Sequence, residues 1–339
     1  MFVKSHGFHI LKPRKREGFN MTQKKKDNLT KVMDYLKHED PFSKGVAFCP
    51  GCGLELLIRF IPQVLGNDIV ITGTPSCSAP VLLGQNNQTW HKLSYFGTLM
   101  TGAAANATGL ARYYRKAGIE NTVVCFNGDG TAADIGFGNL SGAAERNEPF
   151  IYICYDNEGY MNTGIQKSGT TPFGATTTTT PLGSASKGKN LRRMNLALKM
   201  AMHKIPYAAT ATLSDLDDLA KKLLKAKEAK KRGFAFLHVF APCTTGWGFA
   251  PENTIEVCRR AVKTNYFPLW EAVNGKIRMT KTVKKPKPVT TYTELIKKFA
   301  HLSEEDLQIL QDDVDYEYCM LGGLSVLEGE CQLPVSSED

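Results

Sequence analysis

Three observations predict a doubly wound, mostly parallel α/β sheet with a C-terminal helical arm. From Asp40 to about Pro242, short apolar runs alternate with helical stretches, as parallel strands joined by crossover helices require. Gly128-Asp129-Gly130 stands where one apolar run ends and a helical stretch begins. The chain's 339 residues, 42% of them hydrophobic, are enough for a sizeable core.

Each element follows in order. Residues 1–26 read as a disordered basic extension, 27–250 as one binding domain, and 251–339 as a C-terminal helix, linker and arm. Ile69-Val70-Ile71 is a strand ending at Thr72-Gly73-Thr74. The Ala- and Gly-rich stretch from Thr101 to Lys116 predicts a tightly packed helix ending near Gly118. Val123 to Phe126 is the next strand, Ala132 to Arg146 a helix, and Phe150 to Tyr155 a strand. Ser168 to Gly183, with Thr176 to Thr180 uninterrupted, lacks helical periodicity and reads as a loop that orders over a ligand or at an interface. Pro206-Tyr207-Ala208 begins a short strand, Leu213 to Lys231 is a lysine-rich helix, and Ala235 to Phe240 an apolar strand. Glu252 to Thr264 is helical, Lys281 to Pro288 a linker, Tyr292 to Asp312 helical, and Val314 to Asp339 a loose arm.

Composition narrows the function classes. A charged fraction of 22% is ordinary for a globular protein, and no apolar run approaches the roughly 18 to 20 residues of a membrane helix. Met1 to Gly18 is too basic and too interrupted for a secretory signal, so the expected location is the cytoplasm, with no membrane partner. The net charge of +9 comes largely from lysines in the first 26 residues and in Lys276 to Lys287. No recognised nucleic-acid fold signature appears, which argues against nucleic acid, although a basic surface could steer an acidic electron carrier. Nine scattered cysteines do not form a disulfide framework. Cys125 and Cys154 lie in apolar strands and read as buried small hydrophobes, and Cys258, Cys319 and Cys331 receive no role.

Two constellations carry chemistry. Gly-Asp-Gly alone is weak, but here it is followed one βα crossover later by Asn157, at the end of the neighbouring strand. In a doubly wound sheet the carboxyl ends of adjacent strands form the ligand crevice. Asp129, Asn157 and one backbone carbonyl would supply three oxygens to Mg²⁺, and two phosphate oxygens and a water would complete the octahedron. Neither nucleotide-binding glycine signature is present. The second constellation is Cys49-Pro50-Gly51-Cys52 with the isolated Cys77 and Cys243. The Cys-x-x-Cys spacing alone would suit structural zinc, but a zinc ribbon usually has a second such pair. Four thiolates drawn from distant positions suit a [4Fe–4S] cluster.

Gly128-Asp129-Gly130 followed by Asn157 resembles the thiamine-diphosphate motif. The segments Asp134-Ile135-Gly136, Leu140 to Arg146, Tyr152 to Glu158 and Tyr160-Met161-Asn162-Thr163-Gly164 are similar to the β subunit of the 2-oxoacid:ferredoxin oxidoreductases, pyruvate:ferredoxin oxidoreductase (pyruvate synthase) above all. Cys49-Pro50-Gly51-Cys52-Gly53 and Ala241-Pro242-Cys243-Thr244-Thr245-Gly246-Trp247 extend the match, which runs from about Lys44 to Gly275. The resemblance implies a diphosphate-domain fold that binds thiamine diphosphate, Mg²⁺ and a [4Fe–4S] cluster. By it, Asp129, Asn157 and the Gly159 carbonyl hold Mg²⁺, and Cys49, Cys52, Cys77 and Cys243 hold the cluster. Gly53, Gly128, Gly130 and Thr163 would belong to the cofactor bed, and Asn162 would position the cofactor near its diphosphate and thiazolium. The implied activity is oxidative decarboxylation of a 2-oxoacid, pyruvate favoured, with coenzyme A as acyl acceptor and electrons passing through the cluster to external ferredoxin.

Only the diphosphate half is present in this sequence. The resemblance therefore implies an α-type partner supplying the pyrimidine-side domain and the catalytic glutamate, and a ferredoxin-like cluster subunit; Glu55 reads as a helix surface residue instead. The chain departs from pyruvate-type relatives at Cys77-Ser78-Ala79-Pro80 and Tyr95-Phe96-Gly97-Thr98. Those segments keep oxalate or an arylglyoxylate open as substrate. A non-redox thiamine decarboxylase with structural zinc, and a cluster-bearing electron-transfer subunit without catalysis, are the further alternatives.

Overall fold

The computed structural model describes residues 31–83, 91–184 and 186–326. The predicted basic extension, Cys331 and the last residues of the predicted arm lie outside them. The strands are β1 (Ile69–Gly73), β2 (Ser94–Gly97), β3 (Thr122–Gly128), β4 (Ile151–Asp156), β5 (Leu182–Gly183), β6 (Ser186–Lys187), β7 (Tyr207–Thr212), β8 (Ala235–Phe240), β9 (Leu269–Val273) and β10 (Lys276–Lys281). The longer helices are α1 (Gly53–Leu65), α2 (Ala103–Ala117), α3 (Phe137–Glu145), α4 (Leu196–Met202), α5 (Leu216–Ala229), α6 (Thr254–Lys263) and α7 (Glu304–Val326). Eight strands form one sheet in the order β10-β9-β7-β8-β4-β3-β1-β2, and β5 and β6 make a separate hairpin.

Alternation along each central strand divides the core in two. Val124, Phe126, Ile151, Ile153 and Tyr155 face α1, α5 and α6, where Leu57, Ile61, Leu219, Leu223 and Val257 pack on them. Val123, Cys125, Tyr152 and Cys154 face the opposite layer, built from Ala103, Ala107 and Ala111 of α2, Leu140 of α3 and Met200 of α4. Helices cover both faces, and the pairs from β2 through β7 are parallel, so the doubly wound reading holds. The alanines of α2 have little side chain, which lets that helix lie close to the sheet.

Three elements differ from the sequence reading. The helix expected over Ala132 to Arg146 is broken. Gly130–Ile135 is a widened π-helical turn, closed by Gly136 N–H donating to Thr131 O at 2.8 Å, and α3 starts only at Phe137. A Cβ on Gly136 would lie 2.6 Å from the Thr131 carbonyl oxygen, so glycine is needed at the break.

Residues 251–339 are also not simply helix, linker and arm. β9 runs antiparallel to β7, and β10 pairs with β9 through Asn274-Gly275, both at positive φ. That two-residue turn is a strong hairpin signal which the lysine-rich context of β10 obscured. The helix expected over Tyr292 to Asp312 is two short turns followed by α7. α7 continues as far as Val326 and buries Leu310, Val314 and Leu321, so that stretch is packed helix and not a loose arm.

Candidate functional site

β3 and β4 are hydrogen-bonded neighbours, with Gly128 opposite Tyr155, so Asp129 and Asn157 leave the sheet side by side. Asp129 is fully buried. Its Oδ1 lies 3.0 Å from the Asn157 side-chain oxygen, which lies 2.8 Å from the Gly159 carbonyl oxygen. With no cation between them these acceptors oppose each other, and rotating the amide would relieve the conflict. Ligand oxygens around octahedral Mg²⁺, each at 2.0–2.1 Å from the ion, stand about 2.8–3.0 Å apart at neighbouring vertices. Two of the three oxygen separations therefore match those of neighbouring vertices of a magnesium octahedron, as the implied ion would need. Trp247 Nε1 fixes the segment from behind by donating to the Asn157 carbonyl at 2.8 Å.

A hydroxyl clamp holds the other side of the carboxylate. Asp129 Oδ2 accepts from Ser168 Oγ at 2.5 Å and from Thr170 Oγ1 at 3.0 Å. Thr170 also reaches Asp156 Oδ1 at 2.9 Å, and Thr171 Oγ1 donates to the Glu158 carbonyl at 2.6 Å. His238 sits 2.7 Å from Asp156 Oδ2 at the sheet end. Burial first, and then the neighbouring Asp156 carboxylate, push Asp129 well above the usual carboxylate range. Two acids closed off from water call for positive charge, which a divalent ion would supply. Glu158, at φ 64°, is pushed up to about 8 by burial and by Asp156, and it accepts from Tyr266 in the core.

A cleft opens in front of these residues. It is lined by Gly128, Gly130, Asn157, Gly159, Asn162 and Thr163 among the expected bed residues, and by Cys77, Met100 and Met161. Asn162 and Thr163 are exposed, and Thr163 Oγ1 donates to Gln166 Oε1 at 2.6 Å. Gly130 lets Tyr160 lie across it; a Cβ there would be 2.5 Å from the tyrosine ring, whose hydroxyl donates to the Gly130 carbonyl at 2.8 Å. Gly53, also expected in the bed, opens α1 against Leu213 and Ala241 and is not among the residues lining this cleft. Ser168, Thr170, Asp156 and His238 were not singled out from sequence. The only signal was the hydroxyl-rich run beginning at Ser168, expected to order over a ligand or at an interface without any named partner.

One thiol, Cys77, lines the cleft, and Cys49, Cys52 and Cys243 lie near enough to act on it electrostatically. Cys49-Pro50-Gly51-Cys52 turns at Gly51, φ 70°, and Cys52 is the N-cap of α1. Thr244 Oγ1 donates to the Pro50 carbonyl at 3.3 Å, and Thr254 Oγ1 to that of Gly51 at 2.6 Å. Cys243 Sγ accepts from Gly246 N–H at 3.2 Å, and Cys77 lines the cleft itself. Burial, with contributions from the other thiols of the four, raises Cys52 to about 11 and Cys77 to about 12. Among the described residues no group of three or more His, Cys, Asp or Glu side chains stands ready to hold a single metal ion. A [4Fe–4S] cluster binds each thiolate to a different iron, and these four residues would supply one thiolate to each. Glu55 lies on α1, partly exposed beside Arg59 at 3.4 Å, as expected of a helix surface residue.

Residues 73–239 match the family model described as thiamine pyrophosphate enzyme, C-terminal TPP binding domain. The chain is 42% identical over 294 residues to pyruvate synthase subunit PorB of Methanocaldococcus jannaschii, covering 84% of this chain and 97% of that one. It is 43% identical over 278 residues to the β subunit of NADH-dependent phenylglyoxylate dehydrogenase of Aromatoleum evansii. That alignment covers 81% of this chain but 62% of the relative, so the chain spans less than two-thirds of that protein's length. Among solved structures, the 2-oxoglutarate:ferredoxin oxidoreductase of Magnetococcus marinus aligns with a TM-score of 0.50 at 25% identity, over 65% of this chain and 79% of that one. No helix among the described residues is long and apolar enough to cross a membrane.

Proposed function

The chain belongs to the β subunits of the thiamine-diphosphate-dependent 2-oxoacid:ferredoxin oxidoreductases, and on that premise we propose that it performs the oxidative decarboxylation of a 2-oxoacid together with partner subunits. The observation that carries this reading is the set of oxygens from Asp129, Asn157 and Gly159 at a cleft whose lining includes Cys77. Asp129, Asn157 and the Gly159 carbonyl would hold Mg²⁺ and through it the diphosphate, with Gly128, Gly130, Asn162 and Thr163 forming the bed. Cys49, Cys52, Cys77 and Cys243 would hold a [4Fe–4S] cluster. Thiamine diphosphate, when bound, supplies the carbon nucleophile that adds to the oxo group and retains the electron pair left by carbon dioxide.

The chain's own residues then orient and insulate. Gly130 and Tyr160 shape the floor, Trp247 keeps the Asn157 backbone still, and Ser168 with Thr170 occupy one carboxylate oxygen so that the other faces the ion. Cys77 lines the cleft and belongs to the thiol group, which gives electrons a short way out. We assign the glutamate that assists the aminopyrimidine to an α-type partner, and onward electron flow to a ferredoxin-like subunit and external ferredoxin.

Pyruvate is the favoured substrate, with coenzyme A as acceptor. A second reading, an arylglyoxylate, is favoured by the two apolar thioethers of Met100 and Met161 along the cleft and by the likeness to the phenylglyoxylate enzyme's β subunit. Anaerobic dye reduction by the natively purified complex separates the two. Rapid, coenzyme A-dependent reduction with pyruvate supports the first; reduction with phenylglyoxylate but not pyruvate supports the second. No reduction with pyruvate, 2-oxoglutarate, oxalate or phenylglyoxylate would overturn both.

A further inference from the structure

Lys189 is the one buried ammonium in the loop that clamps Asp129, and the activity described above gives it no task. Its side chain is 5% exposed, and among the described residues no carboxylate lies within ion-pair distance of it. Its three donors go instead to three carbonyls of one short segment: Ser168 O at 3.4 Å, Gly169 O at 3.3 Å and Thr171 O. An ammonium group has three N–H bonds, so the site uses all of them. The backbone of Lys189 is fixed too, with its N–H donating to Ala175 O at 3.0 Å and its carbonyl accepting from Gly174 N–H at 2.7 Å. Burying such a charge without a counterion is costly, and burial, then Lys167, lowers it to about 8 while Asp134, Glu158 and Asp156 pull it back up. A lysine held at such cost in a loop is doing something the loop's packing alone does not require.

The segment 168–171 presents the carbonyls of Ser168, Gly169 and Thr171 to Lys189, and the hydroxyls of Ser168 and Thr170 to Asp129. Ser168 and Thr170 bind Asp129 Oδ2, and Thr171 binds the carbonyl of Glu158, next to Gly159. Without Lys189 the segment would keep its ties from Gly169 to Asp134 and Met194 but lose the charge that gathers its carbonyls, loosening the grip of Ser168 and Thr170 on Asp129 Oδ2.

We propose that Lys189 is a positioning residue for the magnesium–diphosphate site, acting through Ser168 and Thr170 to hold Asp129 with one oxygen clamped and the other aimed at the ion. The inference rests on the reading of Asp129 as an Mg²⁺ ligand. Groups that orient a metal-binding carboxylate typically change metal affinity by about 10- to 100-fold when removed.

The experiment measures thiamine diphosphate retained by the purified complex as Mg²⁺ is varied, using thiochrome fluorescence after gel filtration, with iron content and the melting temperature of the cofactor-free complex alongside. Lys189→Met should raise the Mg²⁺ needed for half-retention about tenfold or more, and Lys189→Arg should restore part of the loss. Because the effect passes through the clamp, adding Lys189→Met to Ser168→Ala/Thr170→Val should cost little further. Wild-type Mg²⁺ dependence in Lys189→Met, or losses that simply add, would overturn the proposal. If Lys189→Met does not yield a folded complex, Lys189→Gln, which keeps two donors, carries the same test with the same outcomes. Asp129→Ala tells the two readings apart. Cofactor retained in Asp129→Ala defeats the ligand assignment itself, whereas loss there with none in the Lys189 variants defeats only the role of Lys189.

Discussion

Asp129 divides its work between two oxygens, and that division makes it the most informative residue to change. Asp129→Ala removes the only carboxylate of the oxygen set but touches none of the four cysteines. The expected outcome is loss of bound thiamine diphosphate with iron content unchanged, checked by thiochrome and iron assays on the same preparation; retained cofactor would sink the Mg²⁺ assignment. Cys77→Ala is the converse. It should lose iron and dye reduction while the oxygen set survives, and unchanged iron would contradict its place in the cluster. Asp129, Asn157 and the four cysteines were legible because their chemistry is unusual for their positions: an acid between glycines, an Asn at a strand end, a tight cysteine pair. Lys189 was not legible. Its partners are backbone carbonyls, which any sequence offers, and only the folded loop makes three of them converge.

The Cys49–Cys52 turn is an element held from outside itself. Gly51 lies at φ 70°, and a Cβ there would meet the Pro251 carbonyl oxygen at 2.4 Å. Gly51→Ala would add roughly 1–2 kcal/mol of left-handed backbone strain to that collision and push the turn off Thr254. The expected readout is lower iron content with near-normal thiamine diphosphate; an unaltered iron-to-protein ratio would show that the turn tolerates the shift. At the other sheet edge, Glu271 of β9 ties β10 to α5. Burial would raise its carboxyl, but hydrogen bonds from Lys225, Arg278 and Tyr207 outweigh that and lower it to about 2. Its native value is below the unfolded one, so between pH 4.5 and about 2 the unfolded chain binds more protons. Its contribution is therefore present above that window and lost as pH falls through it. Urea midpoints measured at pH 5 and pH 3 should fall less for Glu271→Gln than for the wild type, and equal falls would refute the linkage. The β9–β10 hairpin also shows why this edge was hard to read. Its lysines face solvent and look like linker, while the Asn274-Gly275 turn is a local signal that composition drowns out.

At the scale of the whole molecule, the doubly wound sheet was legible from the alternation of strand and helix, which depends on burial alone. The boundary at residue 250 was not, because antiparallel edge strands leave no crossover helix to announce them. Residues after 250 complete the sheet at β7 and bury Tyr266, Tyr292 and Phe299 against the core. A chain ended at Ala250 should therefore aggregate, since it bares the β7 edge and that aromatic face. Soluble protein with a single cooperative melt would restore residue 250 as a true domain boundary.

The strand order also sets a timetable for making the protein. β8 inserts between β4 and β7, and Cys243 follows it by three residues. Thr244 then reaches back across 194 residues of chain to Pro50. At ribosomal speeds of about 5–20 residues per second, that span takes roughly 10–40 s to emerge. Until β8 emerges, Cys49, Cys52 and Cys77 wait without Cys243 on an unfinished sheet, and β4, which carries Asn157 at its end, can pair only with β3. The last of the four cysteines thus arrives only behind this late strand, so a nascent chain holds three of the thiols before the fourth can join them.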